Sequence, residues 1–129
     1  MPILKISHLL YTQLLKHAQA ACPEEIVGIL AGSQQTIGQI LPLQNVAAFP
    51  EREFVADPEG MLRAFKHLRT QNLKLLAFYH SHPNGPATPS RTDFLQNRWD
   101  VPMLILDAKN QRIRAWLLET GIEVELQVD

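Results

Sequence analysis

Residues 73–93 read LKLLAFYHSHPNGPATPSRTD, a strand-length apolar run that delivers the chain into His80-Ser81-His82 and then into a loop. Five of the seven positions in Leu73–Tyr79 are apolar and one more is aromatic, the pattern of a buried strand. PNGPATP, residues 83–89, is built almost wholly from turn and breaker residues, so a loop is nearly forced before Ser90. Ser90 is placed as the N-cap of a helix running to about Arg98. Strand, loop and helix in this order put the chemistry-bearing side chains at one end of a sheet.

The flanking sequence supplies the rest of the architecture. PILK near the start (residues 2–5) reads as a short strand, and Ser7 caps a helix to about Ala20, with Leu10, Leu14 and Ala18 spaced by four. EIVGILAG (25–32) is a buried strand, and Thr36–Val46, beyond a polar SQQ turn, pairs with it antiparallel. Asp57-Pro58-Glu59 combines an N-cap, a proline at the first helical position and an early acid; Leu62, Phe65 and Leu68 mark one face of the helix that follows. VPMLILD, RIRAWLL and IEVELQV give three more strands, with turns at KNQ and ETG. Helices and strands interleave, so a single α/β (α+β) domain over residues 1–129 is expected, in three layers with a mixed sheet flanked by helices.

Composition narrows the function classes. Twelve Lys+Arg against thirteen Asp+Glu give a formal charge of −1, with the bases scattered, so no nucleic-acid partner is expected. No stretch reaches the roughly 18 apolar residues of a membrane span, and the first ten residues lack a signal-peptide cleavage pattern. Cys22 is the one cysteine, which fits a reducing, cytoplasmic setting. It reads as a thiol near the site or as a small buried hydrophobe. His8, His17 and His67 have no partners at ligand spacing and receive no role; Trp99 and Trp116 are assigned to core or rim packing.

Residues i and i+2 of a strand share a face, so His80 and His82 can present two imidazoles to one ion while Ser81 points away. A catalytic zinc ordinarily has three protein ligands and one open position. Asp93, one helical turn into the helix after the loop, completes a His-His-Asp set for one Zn²⁺ per chain. Hydrolysis then needs a carboxylate beside the metal to move protons, for which Glu25 is the candidate, and a hydroxyl donor for the oxyanion, for which Ser90 is placed. Plainer readings fit the same residues. Ser90-x-x-Asp93 is also a capping box, a His-x-His pair describes ordinary sheet-edge histidines, and no spacing rule ties Glu25 to His80.

HSHPNGPATPSRTD (80–93) resembles, with complete spacing, the His-x-His, seven residues, Ser-x-x-Asp signature of the JAMM (MPN-plus) metalloproteases. Glu25-Ile26-Val27-Gly28 resembles the family's upstream glutamate three residues before a strand glycine, and it is this resemblance that selects Glu25 over Glu24. Asn45–Pro50, of the form N-x-A-x-x-P, and FVADP (54–58) are similar to the short prokaryotic members. The resemblance implies a cytidine-deaminase-like α/β fold and a zinc peptidase. The implied substrate is a ubiquitin-like or ThiS-type sulfur-carrier protein, cut after its C-terminal Gly-Gly. The same stretch is similar to RadC-type proteins, but the neutral charge and the lack of a helical N-terminal extension favour the peptidase branch. A scaffold without catalysis and a zinc hydrolase of another small amide stay open as rival classes.

Overall fold

The computed structural model describes residues 3–129, so the Pro2 end of the first expected strand lies outside the described residues. The elements run β1 (Ile3–Ile6), α1 (His8–Ala21), β2 (Val27–Ser33), β3 (Thr36–Leu43), α2 (Pro58–Thr70), β4 (Lys74–His82), α3 (Arg91–Gln96), β5 (Met103–Asp107), β6 (Arg112–Leu117) and β7 (Ile122–Val128). Local chemistry accounts for the helix starts. Ser7 Oγ accepts from Leu10 N–H at 3.1 Å, and Asp57 Oδ2 accepts from Gly60 N–H at 3.2 Å with Pro58 in the first turn, so each cap satisfies an amide that the helix leaves without a partner.

Neighbouring strands follow the order β1-β3-β2-β4-β5-β6-β7, and the two ends meet. The mixed sheet expected from the sequence is present, with β4–β5, β1–β3 and β1–β7 parallel and the other pairs antiparallel. It is also closed, because β1 pairs with β7 from Ile3↔Glu125 to Ile6↔Val128 and touches β3 at Lys5↔Thr36. One apolar cluster draws on all seven strands and on Leu14, Leu15 and Ala18 of α1, as a sheet curled about a helix requires. A second cluster puts Ala64 and Leu68 of α2 against Ile29, Phe78 and Ile105 on the opposite face, which makes the three layers.

Four local expectations need correction. Leu62 is 70% exposed; the buried face of α2 is Met61, Ala64, Phe65 and Leu68, set by contact with the second cluster. Cys22 is exposed beyond the end of α1, with Sγ donating to the Ala18 carbonyl at 3.3 Å, and is not a buried hydrophobe. The regular part of β2 begins at Val27, because Ile26 N–H turns to the Ser81 hydroxyl and Glu25 N–H leaves the sheet for the Pro50 carbonyl. Finally, α3 stops at Gln96 and not at Arg98: Asn97 bonds the Trp99 carbonyl at 3.0 Å, and the Trp99 ring packs on Phe78 and Phe65.

Gly28 faces Tyr79 across the β2–β4 ladder, and a Cβ at that position would overlap the buried Tyr79 ring. Gly28→Ala is therefore expected to lower stability by about 1–3 kcal/mol through overpacking. Tyr79→Phe, which removes a buried hydroxyl that has no hydrogen-bond partner among the described residues, is expected to be neutral or stabilising. Urea unfolding of the two variants measures both effects.

Candidate active site

The closed sheet brings residues from three elements to the C-terminal end of β4. His80 and His82 lie on β4, which runs three residues further than its apolar stretch, because His80, Ser81 and His82 keep their pairing to β5. Their Nε2 atoms are 3.2 Å apart. Asp93, in the first turn of α3, reaches both: Oδ1 lies 3.1 Å from His80 Nε2, and Oδ2 lies 3.2 Å from His82 Nε2. The capping box that the sequence offered as the plainer reading is formed as well. Ser90 Oγ accepts from Asp93 N–H at 3.1 Å and Asp93 Oδ2 accepts from Ser90 N–H at 2.9 Å, so the cap aims the carboxylate at the histidines.

The surroundings fix each ring. His82 Nδ1 donates to the Pro86 carbonyl at 2.8 Å, which leaves Nε2 to face Asp93. Pro86 is held there by the preceding turn: Gly85, at φ +64°, lies so close to the Asp107 carboxylate that a Cβ would sit 2.6 Å from Oδ1. His80 is fully buried with Nδ1 unpartnered among the described residues, and its ring stacks on Phe54 with centroids 4.3 Å apart. Trp116 Nε1 donates to the Ala87 carbonyl at 2.9 Å and pins the far half of the loop.

Electrostatics sort the groups by charge. Burial depresses the His80 pKa, keeping that ring neutral. Burial works to raise Asp93, but the hydrogen bonds with His80 and His82 and the one from Ser90 N–H outweigh it and hold the carboxyl well below the usual range. Burial likewise works to lower His82, and its bonds to Asp93 and Pro86 raise it overall. Glu25 is only 8% exposed, and desolvation pushes its pKa up to about 7, opposed by His82 and reinforced by Asp93 and Glu53.

Two imidazole nitrogens and one carboxylate are a donor set that suits zinc. Bonds of 2.0–2.1 Å in a tetrahedron place ligand atoms about 3.3 Å apart; the two Nε2 atoms are 3.2 Å apart here, and Asp93 sets one oxygen 3.1 Å from His80 and the other 3.2 Å from His82. His80, His82 and Asp93 form the group of potential metal-holding residues among those described, and the cluster is compatible with one zinc ion. Glu25, His82 and Ser90 line one open cleft of about 320 Å³ with Glu51, Arg52 and the 83–89 loop. A second, more apolar groove of about 340 Å³ starts at Asp93 and runs past Phe54, Met61 and Trp99. All five residues singled out in the sequence thus border one region. His8, His17 and His67 lie on the surface away from it, His67 bonding Gln39 at 3.0 Å. Sequence reasoning missed two supports of the site. The Ser81 hydroxyl points away from the metal cluster, as the strand alternation requires, and accepts from Ile26 N–H at 2.8 Å; Asn45 bonds the Glu25 carbonyl at 2.9 Å.

Fold and site together define a JAB/MPN-type zinc metallopeptidase. Residues 8–119 match the model of prokaryotic homologues of the JAB domain, and the chain belongs to that family. A relative from Thermus thermophilus, described as a "probable TtuB-protein conjugate cleaving protease", is 43% identical over 87% of this chain and 74% of its own. A desampylase from Haloferax volcanii is 30% identical over 90% and 89%. Among solved structures, a Desulfitobacterium hafniense protein superposes with a TM-score of 0.84 at 30% identity, covering 98% of this chain and 92% of that one. A JAB1/MPN domain protein from Archaeoglobus fulgidus gives 0.70 at 23% identity with full coverage of both chains, which bears on the fold alone. Among the described residues, no helix is long and apolar enough to cross a membrane.

The Glu25 environment predicts a titration. Without metal, its side-chain carboxyl carbon should titrate by NMR with a midpoint near 7, against 4.5 for an ordinary glutamate. A cation beside it favours the charged form, so zinc loading should move the midpoint down. An unchanged midpoint on loading would place Glu25 too far from the metal to act on it.

Proposed function

We propose that the protein hydrolyses the peptide or isopeptide bond after the C-terminal Gly-Gly of a ubiquitin-like or ThiS-type sulfur-carrier protein, as a single catalytic domain over residues 1–129. The observation that carries this reading is the convergence of His80 Nε2, His82 Nε2 and Asp93 within 3.1–3.2 Å, beside a buried glutamate at the wall of an open cleft. The activities named for the Thermus and Haloferax relatives support the substrate class.

His80, His82 and Asp93 hold the zinc in this scheme. Zinc bound there supplies a Lewis acid and brings the pKa of water at that position down to about 7. Glu25 takes a proton from the attacking water and returns it to the departing amine. Burial disfavours the charged form of the Glu25 carboxyl and so makes it a stronger proton acceptor than a solvent-exposed glutamate. Ser90 spends a lone pair on Asp93 N–H, which leaves its O–H free to donate to the oxyanion of the tetrahedral intermediate. The cleft wall is formed by loop residues such as Pro83, Asn84 and Pro86, and an extended Gly-Gly tail, having no side chains, can bring its backbone close against them.

The test is mass spectrometry of a sulfur-carrier protein joined through Gly-Gly to a lysine peptide. Glu25→Gln should retain zinc and lose turnover by about 10²–10⁴-fold, the usual contribution of a positioned general base. His82→Ala should lose both metal and turnover. Near-full activity in Glu25→Gln would refute the base assignment. Ser90→Ala should lower kcat and also cost about 1 kcal/mol of stability through the lost cap, separable by thermal unfolding.

A further inference from the structure

Glu25 approaches the metal cluster from outside the regular sheet. The β2–β4 ladder pairs Val27 with His80, but Glu25 lies two residues before Val27. Ile26 is tied to β4 by Ser81, whose N–H donates to the Ile26 carbonyl at 3.0 Å and whose Oγ accepts from Ile26 N–H. Beyond that point the backbone ties of Glu25 run to a different segment, the crossing from β3 to α2: Glu25 N–H donates to the Pro50 carbonyl at 2.8 Å, and its C=O accepts from Asn45 Nδ2 at 2.9 Å.

The Asn45 side chain is used to capacity. Besides Glu25, Nδ2 donates to the Glu53 carbonyl at 3.1 Å, while Oδ1 accepts from Ala47 N–H at 3.1 Å and from Val55 N–H at 3.0 Å. Two donors and two acceptor sites are all that an amide offers. The bond to Ala47 is an ordinary Asx turn and needs no functional reading. The reach to a carbonyl 20 residues upstream is not a feature of such a turn. The segment that Asn45 gathers also carries Phe54, which stacks on His80, and Glu51 and Arg52, which line the cleft. One side chain therefore joins the backbone of the glutamate, the cover of a metal-facing ring and the cleft wall.

We propose that Asn45 is a positioning residue, clamping the Glu25 backbone to the 45–55 segment and so fixing the Glu25 carboxylate relative to His80, His82 and Asp93. This rests on Glu25 being the base. The metal ligands come from β4 and α3, neither of which Asn45 bonds, so the clamp acts directly on the base and reaches the ligand set only through the stacking of Phe54 on His80. A displacement of about 1 Å in a reacting group lowers rates by about 10²-fold, so a clamp on a carboxylate outside the ladder has a large lever on turnover.

Asn45→Asp tests the clamp, since it preserves shape and the Oδ1 acceptor but sets an oxygen against the Glu25 and Glu53 carbonyls. The expected result is about one zinc per chain, a kcat on the Gly-Gly–lysine conjugate lowered by about 10–100-fold with KM little changed, and no further loss when the substitution is added to Glu25→Gln. Amide exchange at Glu25 and Val55 should accelerate by about tenfold or more, with β5 amides unaffected. Unchanged exchange at Glu25, or a fully additive loss in the Glu25→Gln background, would overturn the proposal. Should Asn45→Asp not fold, Asn45→Ser is judged by the same readouts. Absence of turnover in the unaltered protein counts against the peptidase reading instead, and the exchange measurement then decides the clamp by itself.

Discussion

Two imidazole nitrogens and a carboxylate held within 3.1–3.2 Å of one another, in a place where His80 is fully buried and Asp93 nearly so, are the constraint around which this end of the molecule is arranged. Buried polar groups need partners, and three that converge on one point satisfy one another through shared protons or through a cation. Each is aimed by a separate device: the packing of Phe54 for His80, the Pro86 carbonyl for His82, and the Ser90 capping box for Asp93. Loss of any one device leaves the other two groups facing a displaced partner.

The fold serves this geometry by bringing distant stretches together. Closure of the sheet fixes β4 between β2 and β5, so that β2 delivers Glu25 from one side while the loop after β4 returns α3 from the other. Gly28 and Gly85 permit the two close approaches involved, one against the Tyr79 ring and one against the Asp107 carboxylate. The base and the metal ligands thus rest on different parts of the scaffold, and the groups that couple them, Ser81 and Asn45, touch the backbone of residues 25 and 26 without belonging to the donor set.

Legibility in the sequence followed the range of the interactions. The His80-x-His82 pair, the Ser90–Asp93 box and the Ser7 and Asp57 caps are local, with spacing of two or three residues, and all could be read directly. The link between Glu25 and the histidines spans 55 residues and passes through a serine hydroxyl and an asparagine amide, so no periodicity announces it; a family resemblance picked out Glu25, while Asn45 was noticed only as part of a motif. Closure of β1 onto β7 is equally silent, because a strand that closes a barrel has the same alternation as one at an open edge. The exposure of Leu62 and the end of α3 are not legible locally, since both depend on which apolar neighbours the tertiary fold supplies.

Elemental analysis of the purified protein beside His80→Ala and Asp93→Ala tests the metal centre most directly. About one zinc per chain, absent from both variants, is the predicted result. No zinc after reconstitution, or zinc retained when either ligand is removed, would contradict it.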